Sequence, residues 1–410
     1  MNRFRLSKLA CYLTSASMAV VVTISPLLFL HFHELYDISY TLLGLLVLVN
    51  FCTQLTVDLL FSFFSDRLPL GLCVRLTPAV MALGLLVYTV APLIFTDAVY
   101  PCLLIGTVLF SLAAGLAEVL TSPVIAAIPS ADPEGEMSRF HAFYAWGTIG
   151  VVLVSTVFLR IFDSSLWQVL TLLLTLVPLA AAFCFARAEL PPLETAQNAG
   201  GSGGIFRSAG VALCVTAIFM GGAAECTMSQ WASGYLEMAL GIPKIWGDVF
   251  GVAAFALMLG LGRTLYARYG KNTLTILILG SASATVCYLV AALSPIPIVG
   301  LIACALTGFC TAMLWPGNLL VSSEHYPTAG VALYALMAAG GDLGASVGPQ
   351  MIGALTDIVA KDPTPFAFLF GEGLSPEQIG MRFGVLVASL FPLLGTVVLL
   401  LLRRYFKRHG

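Results

Sequence analysis

Long apolar runs separated by short polar breaks follow one another from Ser7 to the C-terminal region. Each reaches about 20 residues or more, the length a helix needs to cross ~30 Å of hydrocarbon, and none shows the short alternating pattern of barrel strands. The pattern predicts spans at 8–31, 40–64, 71–95, 98–128, 140–162, 164–186, 208–238, 245–267, 273–294, 297–322, 329–359 and 381–403. Basic residues precede the first run, as in a signal peptide, but the equally apolar runs behind it make it a retained first helix. The expected fold is an all-α membrane protein with twelve transmembrane helices.

Composition agrees. With 59% hydrophobic and 10% charged residues and a mean hydropathy of +0.97, the chain lacks the polar surface of a water-soluble globule, so the lipid bilayer is its expected solvent. Ten cysteines fall inside the apolar runs without close C-x-x-C spacing, and read as small core or lipid-facing residues. A formal net charge of −2 offers no basic surface for nucleic acid. No metal site is expected.

Charge sets orientation. Twelve spans place both termini on one side, and if that side is the cytoplasm its flanks hold 15 of the 19 Lys and Arg residues, as the positive-inside rule requires. The Pro191-Pro192 and Gly-Gly-Ser-Gly-Gly stretch reads as a cytoplasmic linker, residues 187–206, between six-helix bundles at 1–186 and 207–410. An offset of 201 residues carries Asp66-Arg67 onto Ala267-Arg268 and His141 onto Asp342. Two such pseudo-symmetric halves place a solute site at mid-membrane between them.

Ionisable groups deep in a bilayer are expensive, so each is a functional candidate. Glu118, Glu225 and Asp342 fall near the middle of their spans and Asp58 in the cytoplasmic third of its own, with no Lys or Arg expected at similar depth to pair with them. Such carboxyls can bind and release protons as access alternates; the plainer role is packing through hydrogen bonds between helices. Helical spacing puts Asn50, Gln54 and Asp58 on one stripe, Ser122 beside Glu118, Ser229 beside Glu225, and Ser346 and Gln350 beside Asp342. Thr311, Trp315, Asn318 and Ser322 share a face, where Pro316-Gly317 should free backbone carbonyls. Trp231, Tyr144 and Trp146 add aromatic surface; rings beside amides and acids suit a sugar, with interhelical packing as the other reading. Trp167 and Trp246, near span ends, read as interface residues.

Several of these segments resemble the fucose/galactose/glucose:proton symporter branch of the major facilitators, typified by the fucose permease. They are Gly115-Leu116-Ala117-Glu118 with Ser122-Pro123, Gly222-Ala223-Ala224-Glu225 with Trp231, Leu314-Trp315-Pro316, and Gly340-Gly341-Asp342-Leu343-Gly344 with Gly348-Pro349. The resemblance implies that Glu118 handles sugar and proton, and that His141 and Tyr144 stand at sugar-contacting positions. It also implies that Asp66 and Arg67, with Arg263 and Arg268 as the second copy, gate one conformation. The first helix lacks the acid of the fucose permease, leaving Glu225 or Asp342 as its replacement.

The expected function is proton-coupled symport of a small polar solute, a sugar first, by a monomer in a bacterial inner membrane that needs no cofactor beyond the proton gradient. A proton-coupled exporter of amphipathic compounds and a non-transporting sensor use the same residues. No P-loop argues for an ATP-driven pump and no triad for an enzyme.

Overall fold

The computed structural model describes residues 3–64, 68–130, 133–162, 164–192, 208–326, 330–371 and 373–409. These residues are helical almost throughout. The long helices are α1 (Arg5–Tyr36), α2 (Tyr40–Phe64), α3 (Leu70–Ile94), α4 (Val99–Ala127), α5 (Pro133–Ile161), α6 (Trp167–Arg187) and α7 (Ala209–Met238). α8 joins Lys244–Trp246, a π-helical turn at Gly247–Ala253 and Ala254–Tyr269 without a break, and α9 is Thr273–Leu293. α10 joins Pro297–Thr311 to Pro316–His325 through a turn, α11 is Gly330–Lys361, and α12 joins Pro376–Ala388 to Leu390–His409.

Ten of them are long and apolar enough to cross a membrane by length and composition. α5 offers a shorter apolar stretch, Trp146–Ile161, and α11 is diluted by glycines, Asp342, Ser346 and Gln350; the set is compatible with the twelve predicted spans. Boundaries moved where caps decide them. α12 begins at Pro376 instead of 381 because Ser375 and Gln378 form a reciprocal capping box ahead of it. The predicted linker lies outside the described residues from 193 onward, as do Asp66 and Arg67.

The chain forms two compact units, Met1–Tyr36 with Val49–Gln197, and Asp37–Leu48 with Asn198–Gly410. In the first unit, α3 and α4 cross at their glycines. A Cβ on Gly84 would lie 2.4 Å from the Phe110 backbone, and one on Gly106 would lie 2.6 Å from Tyr88, so only glycine permits this approach. Trp167 is fully buried, not at an interface. Its indole N–H donates to Tyr36 Oη at 3.0 Å, and its ring meets Phe32 edge to face at 5.0 Å. Arg75 donates to the carbonyls of Phe185 at 2.6 Å and Ala188 at 2.9 Å, supplying the donors that the end of α6 lacks.

Near the start of α1, Glu136 of α5 pairs with Lys8 and, at 2.8 Å, with Arg139. The Lys8 hydrogen bond, ahead of that from Arg139, holds this carboxyl below the usual carboxylate range. A depressed folded-state pKa contributes stability above about pH 4.3, lost as pH falls through the folded value. The melting temperature of Glu136→Gln is therefore expected to fall less steeply than wild type between pH 5 and pH 3.5; parallel curves would show the pair contributes nothing.

In the second unit, α11 lies on α7 through Gly340, Gly344 and Gly348, one face at four-residue spacing. Added Cβ atoms there would lie 2.9 Å from Val215, 2.0 Å from the Phe219 carbonyl oxygen and 2.0 Å from Thr227 Oγ1. Tyr288 Oη donates to Ala224 O at 2.7 Å and Tyr235 Oη to Ala291 O at 2.6 Å, tying α9 to α7. Arg382, buried in α12, donates to Ala239 O at 3.3 Å and Ser294 O at 3.1 Å, at the C-terminal ends of α7 and α9. The first turn of α2 belongs to this unit, where Asp357 of α11 accepts from Tyr40 N at 3.2 Å and Thr41 N at 2.6 Å. A carboxylate at a helix N-terminus satisfies two amides that the helix itself leaves open.

Candidate functional site

Each unit carries its own polar cluster. In the first unit the cluster begins with Gly115, where an added Cβ would lie 3.2 Å from Gln54 Cα. That approach of α4 to α2 brings their polar stripes together. Gln54 Nε2 donates to Asn50 Oδ1 at 3.0 Å and Ser111 Oγ donates to the same oxygen at 2.5 Å, all three side chains buried. One turn further along both helices, Asp58 and Glu118 come within Coulombic reach of each other. Asp58 and Ser122 are half-buried, and Glu118 is exposed. The stripe expected from i, i+4, i+8 spacing is therefore a bonded network at Asn50 and Gln54 that leads into a pair of carboxyls.

In the second unit the cluster is organised by Pro316. A proline has no N–H for the carbonyl four residues earlier, which here is Ala312 O. That oxygen accepts from Arg263 Nε of α8 at 3.1 Å instead. So anchored, the guanidinium turns Nη2 toward Glu225 Oε1 of α7 at 3.3 Å. Glu225 thus has a cationic partner at depth, against the expectation that no Lys or Arg would reach one. The reason is position: Gly262, next to Arg263, meets Ala312 and Phe309 in the middle of α10, so Arg263 stands along α8 at the level of that carbonyl, with its side chain partly exposed. It is a helical residue of α8, ahead of the turn that follows Tyr269.

Cys226, next to Glu225 on α7, comes within Coulombic reach of Glu225, Asp342 and Arg263. The Trp315 ring fills the slot between α7 and α11, where a Cβ on Gly222 would lie 3.0 Å and one on Gly341 2.5 Å from its atoms. Asn318 is buried, with Nδ2 donating to Leu314 O at 2.6 Å and Oδ1 accepting no hydrogen bond among the described residues. Ser229 Oγ donates to Cys226 O at 3.2 Å.

Other candidates stand apart from these clusters. Trp231 is 1% exposed with its N–H committed to Pro349 O at 2.8 Å; it packs α7 against α11. Trp146 is 66% exposed on α5. Tyr144 is half-buried on the same helix, and the side chain of His141 falls outside the described residues. Arg268 is exposed, with its guanidinium 5.3 Å from the Tyr269 ring centroid. Sequence reasoning missed Asp248, 1% exposed within the π turn, which accepts from Ser233 Oγ and pairs with Lys244 at 3.3 Å. The i, i+4 spacing of Lys244 and Asp248 was the available signal.

These clusters, on helices of two compact units, fit a carrier for small solutes, and comparison with known proteins agrees. Among solved structures, a bacterial homolog to the human lysosomal transporter Spinster in an inward-facing and occupied conformation is 13% identical. Its TM-score is 0.79, over 100% of this chain and 98% of that chain. The nucleoside transporter NupG is 10% identical with a TM-score of 0.74, over 96% of this chain and 99% of that one. The xylose transporter XylE from E. coli, inward open, is 13% identical with a TM-score of 0.70, over 94% and 95%. No curated protein matches by sequence. The likeness to solved structures carries the fold; the sequence itself, over residues 10–349, matches the family model described as Major Facilitator Superfamily. This chain belongs to the Major Facilitator Superfamily, a family of multi-pass membrane transporters.

Proposed function

We propose that the protein is a proton-coupled symporter that imports a small polar solute, a sugar first among the classes, by alternating access. The observation that carries this reading is the pair of neighbouring carboxyls, Asp58 and Glu118, beside a bonded amide network in the first unit. Carboxyls at membrane depth bind a proton on one side and release it on the other when access alternates, and amides and hydroxyls match sugar hydroxyls. The xylose transporter among the structural neighbours and the fucose permease-like segments around Glu118 support the sugar class. In this reading the protein works as a monomer in the cell membrane with both termini cytoplasmic, bundles at 1–186 and 207–410, and no cofactor beyond the proton gradient.

The test is proton movement in weakly buffered proteoliposomes. Addition of xylose, fucose or galactose is expected to alkalinise the outer medium as proton and sugar enter together. Acidification on addition of amphipathic cations, with no response to sugars, would replace this reading with an exporter. Binding without flux would make the protein a sensor.

A further inference from the structure

The ion pair in the second unit is open on both sides. Arg263 uses Nε for Ala312 O and Nη2 for Glu225, while Nη1 makes no hydrogen bond among the described residues, and the side chain is 45% exposed. Glu225 uses Oε1 alone; its Oε2 is enclosed and accepts no hydrogen bond among the described residues. The contact is a single 3.3 Å hydrogen bond, not the two-pronged pairing a guanidinium makes when it is saturated. What remains is the Nη1 and Nη2 end of a planar fork held in place by a backbone carbonyl, a geometry matched to an incoming carboxylate.

Charge points to the same occupant. Arg263 on α8 is the charged group that faces Glu225; Asp342 on α11 comes within Coulombic reach of the adjoining Cys226 on α7, and α10 contributes the Ala312 carbonyl. Two carboxyls and one guanidinium sum to zero when one carboxyl holds a proton, and an apolar interior favours that neutral sum. An entering monoanion adds one negative charge, and one further proton cancels it.

We propose that Arg263 binds the anionic group of the transported solute in exchange for Glu225, and that the solute is a small sugar acid carrying one carboxylate. In the exchange Glu225 gains a proton on its carboxylate, its contact with Arg263 Nη2 breaks, and Nη1 and Nη2 donate to the carboxylate of the solute. Proton and anion enter together and the net charge of the cluster does not change. Coupling is one proton per anion. This rests on the symport reading and narrows its solute from sugars at large to their acids.

The experiment compares matched pairs on the purified protein, glucose with glucuronate and galactose with galacturonate, by thermal shift and by titration at pH 6 and pH 8. At least one uronate is expected to raise the melting temperature where its neutral partner does not, and to bind about tenfold or more tightly at pH 6 than at pH 8. Arg263→Gln is expected to remove the shift. Arg263→Lys, which keeps the charge but not the fork, should bind the uronate about tenfold more weakly than wild type, and Glu225→Gln should bind it with no difference between the two pH values. The proposal is overturned if no uronate shifts the protein, or if a uronate shift survives Arg263→Gln. A shift by the neutral sugars alone also overturns it and leaves the sugar symport reading standing; loss of solute-driven alkalinisation tests that reading separately.

Discussion

Replacing Glu118 by Gln is expected to abolish accumulation of solute against its gradient while leaving the protein folded. Glutamine has nearly the shape of glutamate and keeps its hydrogen-bonding reach, but it cannot take up or release a proton at the pH of a cell. The Glu118 side chain is exposed and glutamine has nearly its volume, so the melting temperature should stay within a few degrees of wild type. Counterflow, the exchange of labelled for unlabelled solute with no gradient, should persist, because it needs the conformational cycle and not proton release. Both readouts belong in the same proteoliposomes. Accumulation at the wild-type level would remove Glu118 from coupling, and would shift attention to its neighbour Asp58.

Substitution of Gly344 by Val is expected to cost about 3 kcal/mol or more and to reduce the yield of folded protein sharply. A Cβ at this position would lie 2.0 Å from the Phe219 carbonyl oxygen and 2.9 Å from Ala223 N. Both are backbone atoms of α7, so no rotamer change relieves the clash and the two helices must separate. Gly260→Ala is the matched control. Nothing lies within 4 Å of a Cβ there, and alanine in a helix gains up to ~1 kcal/mol over glycine. Melting of the two variants in detergent would settle the contrast, and equal melting temperatures would mean that α7 and α11 do not touch through Gly344.

The glycines show what the sequence could and could not decide. Glycines are frequent in α7, α8 and α11, and that frequency alone fits moving helices and close packing equally well, since composition carries no partner. Geometry separates them: Gly340, Gly344 and Gly348 are packing surfaces against α7, while Gly260 faces open space. Apolar runs were legible because membrane thickness imposes one length on every span. The polar stripe of α2 was legible because helical spacing needs only one helix, and Asn50 and Gln54 are bonded as that spacing implies. Contacts across helices were not. Arg263 lies near a basic turn in the sequence, and nothing along α8 says that the carbonyl waiting for it belongs to Ala312, exposed by a proline on another helix. Trp231 and Asp357 carry the same lesson, since the Pro349 carbonyl and the amides of Tyr40 and Thr41 that satisfy them are far away in the chain.

The π turn at Gly247–Ala253 gives α8 a phase. Such a turn closes hydrogen bonds over five residues instead of four, and therefore inserts one residue into the winding of the helix. Everything after it is rotated by about 100° relative to an uninterrupted α-helix with 3.6 residues per turn. Arg263 is after it. The azimuth at which the guanidinium meets Glu225 and the Ala312 carbonyl is thus fixed ten residues upstream, at Ala253 and before. Deleting one residue from the turn would leave the composition and hydropathy of α8 almost unchanged, yet would swing its one deep positive charge to another side of the helix.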